Sequence, residues 1–123
     1  VYNLAWGAFS VIHPQAVFEF AGMKPLNYPE VWQCLGMVVG LYGIAYLEVA
    51  RKPQQGQVIA AIGLAGKVLG PAGALALIMR PENPWPWQFG LLNVANDVIW
   101  WLPLGMYLWD ARAGASAPVT EIS

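Results

Sequence analysis

Cysteine, histidine and charge are scarce in this chain, and each shortage excludes a class of function. The 123 residues include one cysteine, Cys34, and one histidine, His13. An internal disulfide, a CxxC redox pair, a cysteine zinc site and bis-histidine haem ligation within one chain are therefore excluded. Six basic and seven acidic side chains leave a net charge near zero. Because there is no basic arm and no basic patch interleaved with aromatics, nucleic acid is not an expected partner.

Apolar residues make up 58% of the chain, and the mean hydropathy is +0.48. This composition is typical of a polytopic membrane protein. Four apolar segments are separated by prolines, glycines and charged residues, at 1–12, 30–50, 57–79 and 88–109. The sequence therefore predicts an all-α fold, a four-transmembrane-helix bundle in a lipid bilayer, with a short interfacial helix over 14–23.

The predicted domain covers residues 1–112, and a disordered tail is predicted for 113–123. The first apolar segment is shorter than the roughly 20 residues that cross a bilayer, so we expect that its N-terminal part is missing. Basic residues near the segment ends indicate the orientation. Arg51, Lys52 and Arg112 fall on one side and Lys24 and Arg80 on the other, which favours an orientation with both termini cytoplasmic.

Two opposite charges lie near the centres of apolar segments, Lys67 in the third and Asp97 in the fourth. An isolated charge at that depth costs about 2.5 to 3.5 kcal/mol, so the two are expected to pair between helices. Pro71 cannot donate a hydrogen bond to the carbonyl of Lys67, so the charge and a freed acceptor share one position. Polar residues at matching depths or on matching helix faces extend the predicted intramembrane cluster, which comprises Lys67, Asp97, Asn93, Asn96, Asn3 and Gln33.

Glycines recur at spacings of three and four on two segments and so lie along one stripe of each helix. Close helix packing is therefore predicted at Gly36, Gly40, Gly43, Gly63, Gly66, Gly70 and Gly73. Trp100, Trp101 and Tyr42 are candidates for stacking on a flat ligand. His13, before Pro14, is a weak candidate ligand for a haem or chlorophyll metal, and no other metal ligand is predicted.

Several of these motifs resemble those of small four-span bacterial membrane proteins near the DoxX-like families. The resembling blocks are Asn3 with Trp6-Gly7, Tyr28-Pro29, Trp32-Gln33, Gly36-Met37, Gly40, Tyr42-Gly43, Gly63-Leu64, Gly66-Lys67, Gly70-Pro71, Asn96-Asp97, Ile99-Trp100-Trp101 and Pro103. The resemblance implies a bacterial inner-membrane location and a link to membrane redox complexes. It carries over no catalytic residue, and a hydroperoxide-reductase activity fits badly because the chain has no second, resolving cysteine.

Two functions remain open from the sequence. The first is an accessory integral-membrane subunit of a larger redox or photosynthetic complex, in which the polar cluster organises the bundle. The alternative is a small oligomeric membrane carrier or quinone-binding protein that uses the same cluster as a proton or ligand site. Contact with quinone, haem or chlorophyll is compatible with either. Because there is no nucleophile-base set, we expect no autonomous catalytic activity.

Overall fold

The computed structural model describes residues 1–115, and the secondary structure in this part of the chain is entirely helical. Six α-helices follow one another, with 3₁₀ turns at Pro53–Gln55 and Val98–Trp100. Their bounds are α1 Tyr2–Ile12, α2 Ala16–Phe20, α3 Pro29–Arg51, α4 Gln57–Ile78, α5 Gln88–Asn96 and α6 Trp101–Ala115. Of the predicted disordered tail, residues 113–115 form the end of α6, and the remainder, from residue 116 onward, lies outside the described residues.

The prediction of four transmembrane helices is wrong. Within residues 1–115 only α3 and α4 are long and apolar enough to cross a membrane, with 23 and 22 residues. The predicted first span is the 11-residue helix α1, and the predicted fourth span is divided into α5, of 9 residues, and α6, of 15 residues. None of these three reaches the roughly 20 residues that a transmembrane helix needs.

The division of the fourth segment occurs at Asp97. Its backbone stays in the right-handed helical region, at φ −119° and ψ −55°, but the α-helix ends there and the chain continues through the 3₁₀ turn before α6 begins. Asparagine and aspartate have a low intrinsic preference for helix interiors. Hydropathy alone does not register this local preference, and it therefore predicted a continuous helix over 88–109.

Helix α1 packs mainly on α3, and glycines allow the close approach. A Cβ atom at Gly7 would lie 2.5 Å from the carbonyl oxygen of Gly36 and 2.8 Å from the amide nitrogen of Gly40. The Gln33 amide donates to the Val11 carbonyl at 2.8 Å and so satisfies one of the unpaired acceptors at the end of α1. Between these helices α2 places Phe18 edge-on against Trp32, with ring centroids 5.0 Å apart.

Helix α4 packs mainly on α6 and α5, and less on α3 and on the 3₁₀ turn before α6. It continues through Pro71, and the Lys67 carbonyl that this proline leaves without an amide donor accepts a hydrogen bond from the Trp101 indole at 2.8 Å. The Tyr107 hydroxyl donates to the Pro53 carbonyl and ties α6 to the turn between α3 and α4. The Trp101 and Tyr107 side chains thus donate hydrogen bonds to backbone carbonyls near prolines, where backbone N–H donors are missing.

The apolar surfaces of α3 and α4 are largely exposed. Only 11% and 17% of their most apolar windows are buried. A core helix of a soluble domain buries its apolar face against other elements. Two long, apolar and mainly exposed helices indicate an association with membrane.

Replacement of Gly7 by alanine is expected to loosen the packing of α1 on α3. The new Cβ would overlap backbone atoms of α3, which cannot rotate away as a side chain could. We expect Gly7→Ala to destabilise the protein by about 1 to 3 kcal/mol, the usual range for overpacking. Thermal unfolding in mild detergent measures the effect. Gly40→Ala is the matched control, since a Cβ there meets nothing within 4 Å. Equal unfolding temperatures for the two variants would contradict the described contact.

Candidate functional site

An ion pair between Lys67 on α4 and Asp97 at the end of α5 forms the centre of the candidate site. Lys67 Nζ lies 2.9 Å from Asp97 Oδ1, and the two side chains are only 12% and 13% exposed. The Asn96 amide also donates to Asp97 Oδ1, at 3.0 Å. The carboxylate is therefore held by a cation on one helix and by an amide beside it in sequence.

The end of α5 leaves backbone carbonyls without helical partners, and two side chains from other helices satisfy them. Lys67 Nζ donates to the Asn96 carbonyl at 2.8 Å, and the Tyr2 hydroxyl donates to the Ala95 carbonyl at 3.2 Å. A cation at a helix C-terminus also interacts favourably with the partial negative charge there. Lys67 thus neutralises Asp97 and completes the hydrogen bonding of the helix end on which Asp97 lies.

Gly70 leaves room for the carboxylate. A Cβ atom at this position would lie 3.2 Å from Asp97 Oδ2 and 3.9 Å from Asn93 Oδ1. Asn93 itself donates to the Phe89 carbonyl at 2.8 Å, one turn earlier on α5. Asn93 therefore borders the ion pair without bonding to it.

Three cavities surround the ion pair, and each is defined by its aromatic residues or its helices. The tyrosine cavity, of about 300 Å³, is lined by Tyr2, Asn3, Tyr46, Lys67, Trp100 and Tyr107, with aliphatic residues and prolines completing the wall. The α3/α4 cavity, of about 480 Å³, is lined by Asn3, Tyr42, Tyr46, Lys67, Asn96 and Asp97 together with residues of both helices. The tryptophan cavity, of about 170 Å³, is lined by Trp6, Val17, Trp32, Phe89, Leu92, Asn93, Asn96 and Asp97.

Five buried polar side-chain atoms in residues 1–115 have no hydrogen-bond partner. Three of the five belong to residues that line the cavities: the indole nitrogens of Trp100 and Trp32, and Oδ1 of Asn96. The other two, Oγ of Ser10 and Oε1 of Gln88, lie elsewhere. Buried polar groups of folded proteins almost always have a partner, either protein or water. All five atoms are fully buried, so a partner would need a small local movement to reach them.

The structure brings together only part of the predicted polar cluster. Lys67, Asp97 and Asn96 are in mutual contact, and Asn3 is buried and lines two cavities with Lys67. Gln33 lies apart and bonds to the end of α1. His13 is exposed and contacts the Phe9 ring, with centroids 5.7 Å apart, and no group of three metal-ligating side chains occurs among residues 1–115.

The three predicted stacking residues lie in three different places. Trp100 lines the tyrosine cavity and Tyr42 the α3/α4 cavity, whereas Trp101 lies in an outward groove of α6 and bonds to the Lys67 carbonyl.

The predicted packing glycines fall into two groups. Neighbouring atoms surround the Cβ positions of Gly36, Gly43, Gly63 and Gly70, while those of Gly40, Gly66 and Gly73 meet nothing within 4 Å.

Sequence reasoning missed the tyrosines of the site. Tyr2, Tyr46 and Tyr107 line one cavity, and Tyr2 packs on Trp100 with ring centroids 5.3 Å apart. Tyr46 follows Gly43 by three residues and Tyr42 by four, and this spacing could have placed it on the inward face of α3. No comparable signal marks Tyr2 or Tyr107, because their partners are backbone carbonyls of distant segments.

Comparison with protein-family models, with curated proteins and with solved structures finds no match for this chain. The resemblance to DoxX-like proteins thus stays a prediction.

Loss of one member of the ion pair is expected to be more harmful than loss of both. Lys67→Met or Asp97→Leu alone leaves an uncompensated buried charge, which costs about 3 to 5 kcal/mol, whereas the double variant removes both charges and recovers most of that stability. Chemical unfolding of the three variants in detergent measures the coupling. Additive losses in the double variant would show that the two side chains do not interact in solution.

Proposed function

We propose that this chain is an integral-membrane protein that binds a small, flat, hydrogen-bond-accepting molecule of the quinone class in the tyrosine cavity, next to Lys67. The observation that carries the proposal is the bonding of the Lys67 ammonium. It has three N–H donors, and two are used by Asp97 Oδ1 and the Asn96 carbonyl. The third is left for an acceptor, and Lys67 lines the tyrosine cavity.

The walls of the tyrosine cavity suit a ring with carbonyl groups. Tyr2, Tyr46, Trp100 and Tyr107 offer aromatic faces, and Asn3 and Lys67 add polar groups to the wall. Small-molecule sites are mainly apolar, with a few placed polar groups that fix orientation. A volume of about 300 Å³ suits a single substituted ring.

The location we propose is the bacterial inner membrane. Helices α3 and α4 are joined by a short turn, and Arg51 and Lys52 lie at that end of α3. Under the positive-inside rule this basic end faces the cytoplasm. The cytoplasmic location of both termini stays a prediction.

Duroquinone is the probe that tests the ligand. We expect the purified protein in lipid nanodiscs to bind it saturably in isothermal titration calorimetry. Leu104→Trp should fill the tyrosine cavity, which Leu104 lines, and weaken binding at least tenfold.

The matched control is Leu102→Trp on the same helix, because Leu102 is 71% exposed. This variant should bind duroquinone as the wild type does. Absence of saturable binding by the wild type, or equal affinities for the two tryptophan variants, would overturn the proposal.

A second candidate function is an accessory subunit of a larger membrane redox or photosynthetic complex. The observation that favours it is the pair of exposed glycines without neighbours at Gly66 and Gly73, on a helix whose apolar surface is exposed. Small residues on an apolar surface let another helix approach closely. Such a surface also permits a homo-oligomer.

Extraction in mild detergent distinguishes these assemblies. An accessory subunit is expected to co-purify with larger membrane proteins at fixed stoichiometry. Gly66→Leu should release it, while Ile62→Leu, at an exposed apolar position on the same helix, should not. Purification of the wild type only as a free monomer or homo-oligomer would exclude the accessory role.

A further inference from the structure

We propose that the ion pair between Lys67 and Asp97 is the transfer point of a proton route, which runs from the tryptophan cavity through the α3/α4 cavity to the tyrosine cavity. The inference rests on the proposed membrane location and adds proton access to the ligand site. Each cavity shares lining residues with the next one along the route. Asn96 and Asp97 line the first and second, and Asn3, Tyr46 and Lys67 line the second and third.

The two outer cavities lie toward opposite ends of the helices. The tryptophan cavity contacts Trp32 in the first turn of α3 and Phe89 in the first turn of α5, whereas the tyrosine cavity contacts Val49 and Ala50 in the last turn of α3. At 1.5 Å per residue, Trp32 and Val49 are separated by about 25 Å along the helix. Lys67, near the middle of α4, lies between the two ends.

The tryptophan cavity can hold water beside the carboxylate. Its volume of about 170 Å³ is well above the roughly 10 to 15 Å³ that a single buried water molecule needs. Water occupies a cavity when polar groups are present to bond it. Asn93, Asn96 and Asp97 supply two amides and a carboxylate among the residues that line this cavity.

The transfer requires one proton and no other reactant. A proton from water in the tryptophan cavity forms an O–H bond with the Asp97 carboxylate, and the charge attraction to Lys67 is lost. Lys67 keeps its hydrogen bond to the Asn96 carbonyl, so the ammonium stays in place. The O–H bond then breaks toward water in the α3/α4 cavity, and the ion pair forms again.

Few other titratable groups face this carboxylate. Among the described residues that line the tryptophan and α3/α4 cavities, Lys67 and Asp97 alone carry a formal charge, and Tyr42 and Tyr46 are the other titratable side chains. Tyr2 reaches the same helix end through the Ala95 carbonyl. Asp97 is therefore the carboxylate on the walls of these two cavities that accepts the proton in this route.

Proton flux into sealed vesicles tests the route. The full chain is reconstituted in vesicles of phosphatidylethanolamine and phosphatidylglycerol that contain pyranine, and a valinomycin-mediated potassium gradient drives protons inward. We expect the wild type to acidify the interior at least tenfold faster than empty vesicles. Asp97→Asn removes the proton acceptor and should reduce the rate to that of empty vesicles.

Two neighbouring leucines on α5 provide a matched pair. Leu92 lines the tryptophan cavity, and Leu91 is 49% exposed. Leu92→Trp should fill the cavity and slow the flux at least tenfold, whereas Leu91→Trp should leave it within twofold of the wild type. If Leu92→Trp does not fold, Leu92→Phe is the second variant. Its smaller ring fills less of the cavity, and it is expected to slow the flux severalfold.

Wild-type flux no faster than that of empty vesicles would overturn the route, as would undiminished flux in Asp97→Asn or in a folded Leu92 variant. Duroquinone titration of the same samples separates this failure from failure of the ligand site. Binding without proton flux rejects the route alone, and flux without binding rejects the quinone proposal alone. Leu92→Trp should retain duroquinone binding, because it fills a different cavity.

Discussion

The interruption of the helix at Asp97 is the constraint on which the rest of this structure depends. A broken helix in an apolar environment exposes carbonyl groups that water does not reach, and each unsatisfied group costs several kcal/mol. Here the side chains of Lys67 and Tyr2 bond those carbonyls, and the charge of Lys67 is balanced by Asp97 itself. The break and the ion pair therefore stabilise each other.

A proline in α4 provides a second hydrogen bond between α4 and the fourth segment. Pro71 removes the donor to the Lys67 carbonyl, and the Trp101 indole, just beyond the break, supplies another. Lys67 thus bonds to the fourth segment through both its side chain and its backbone. Since the helices on either side of the break meet α4 at this residue, movement of Asp97 would alter the surrounding cavities as well.

The sequence was informative about the two long apolar helices and the ion pair, and less so about backbone continuity. Apolar length located α3 and α4 almost to the residue, and the opposite charges of Lys67 and Asp97 in apolar segments predicted a pair, whose nearest atoms lie 2.9 Å apart. The fourth segment contains a single charged residue, Asp97, so hydropathy treated it as continuous. The α-helix nevertheless ends at Asn96, where the Lys67 side chain bonds the freed carbonyl and pairs with Asp97.

The tyrosines of the ligand cavity could not be derived in the same way. Tyr2 and Tyr107 bond to carbonyls of Ala95 and Pro53, and these acceptors are recognisable only once the helix ends are known. Glycine spacing likewise predicts which glycines share a helix face but not what each one contacts. Gly66 and Gly70 belong to the same predicted stripe on α4, yet a Cβ at Gly70 would meet a carboxylate and one at Gly66 would meet nothing.

The central claim, that Lys67 and Asp97 are directly paired at the break, can be measured by solid-state nuclear magnetic resonance in lipid bilayers. The chain has three lysines, Lys24, Lys52 and Lys67, and two aspartates, Asp97 and Asp110. Labelling all lysine Nζ atoms with ¹⁵N and all aspartate Cγ atoms with ¹³C therefore gives one close pair. The structure predicts a strong ¹⁵N–¹³C dipolar coupling that disappears in Asp97→Asn and persists in Asp110→Asn. A wild-type spectrum without that coupling would contradict the account.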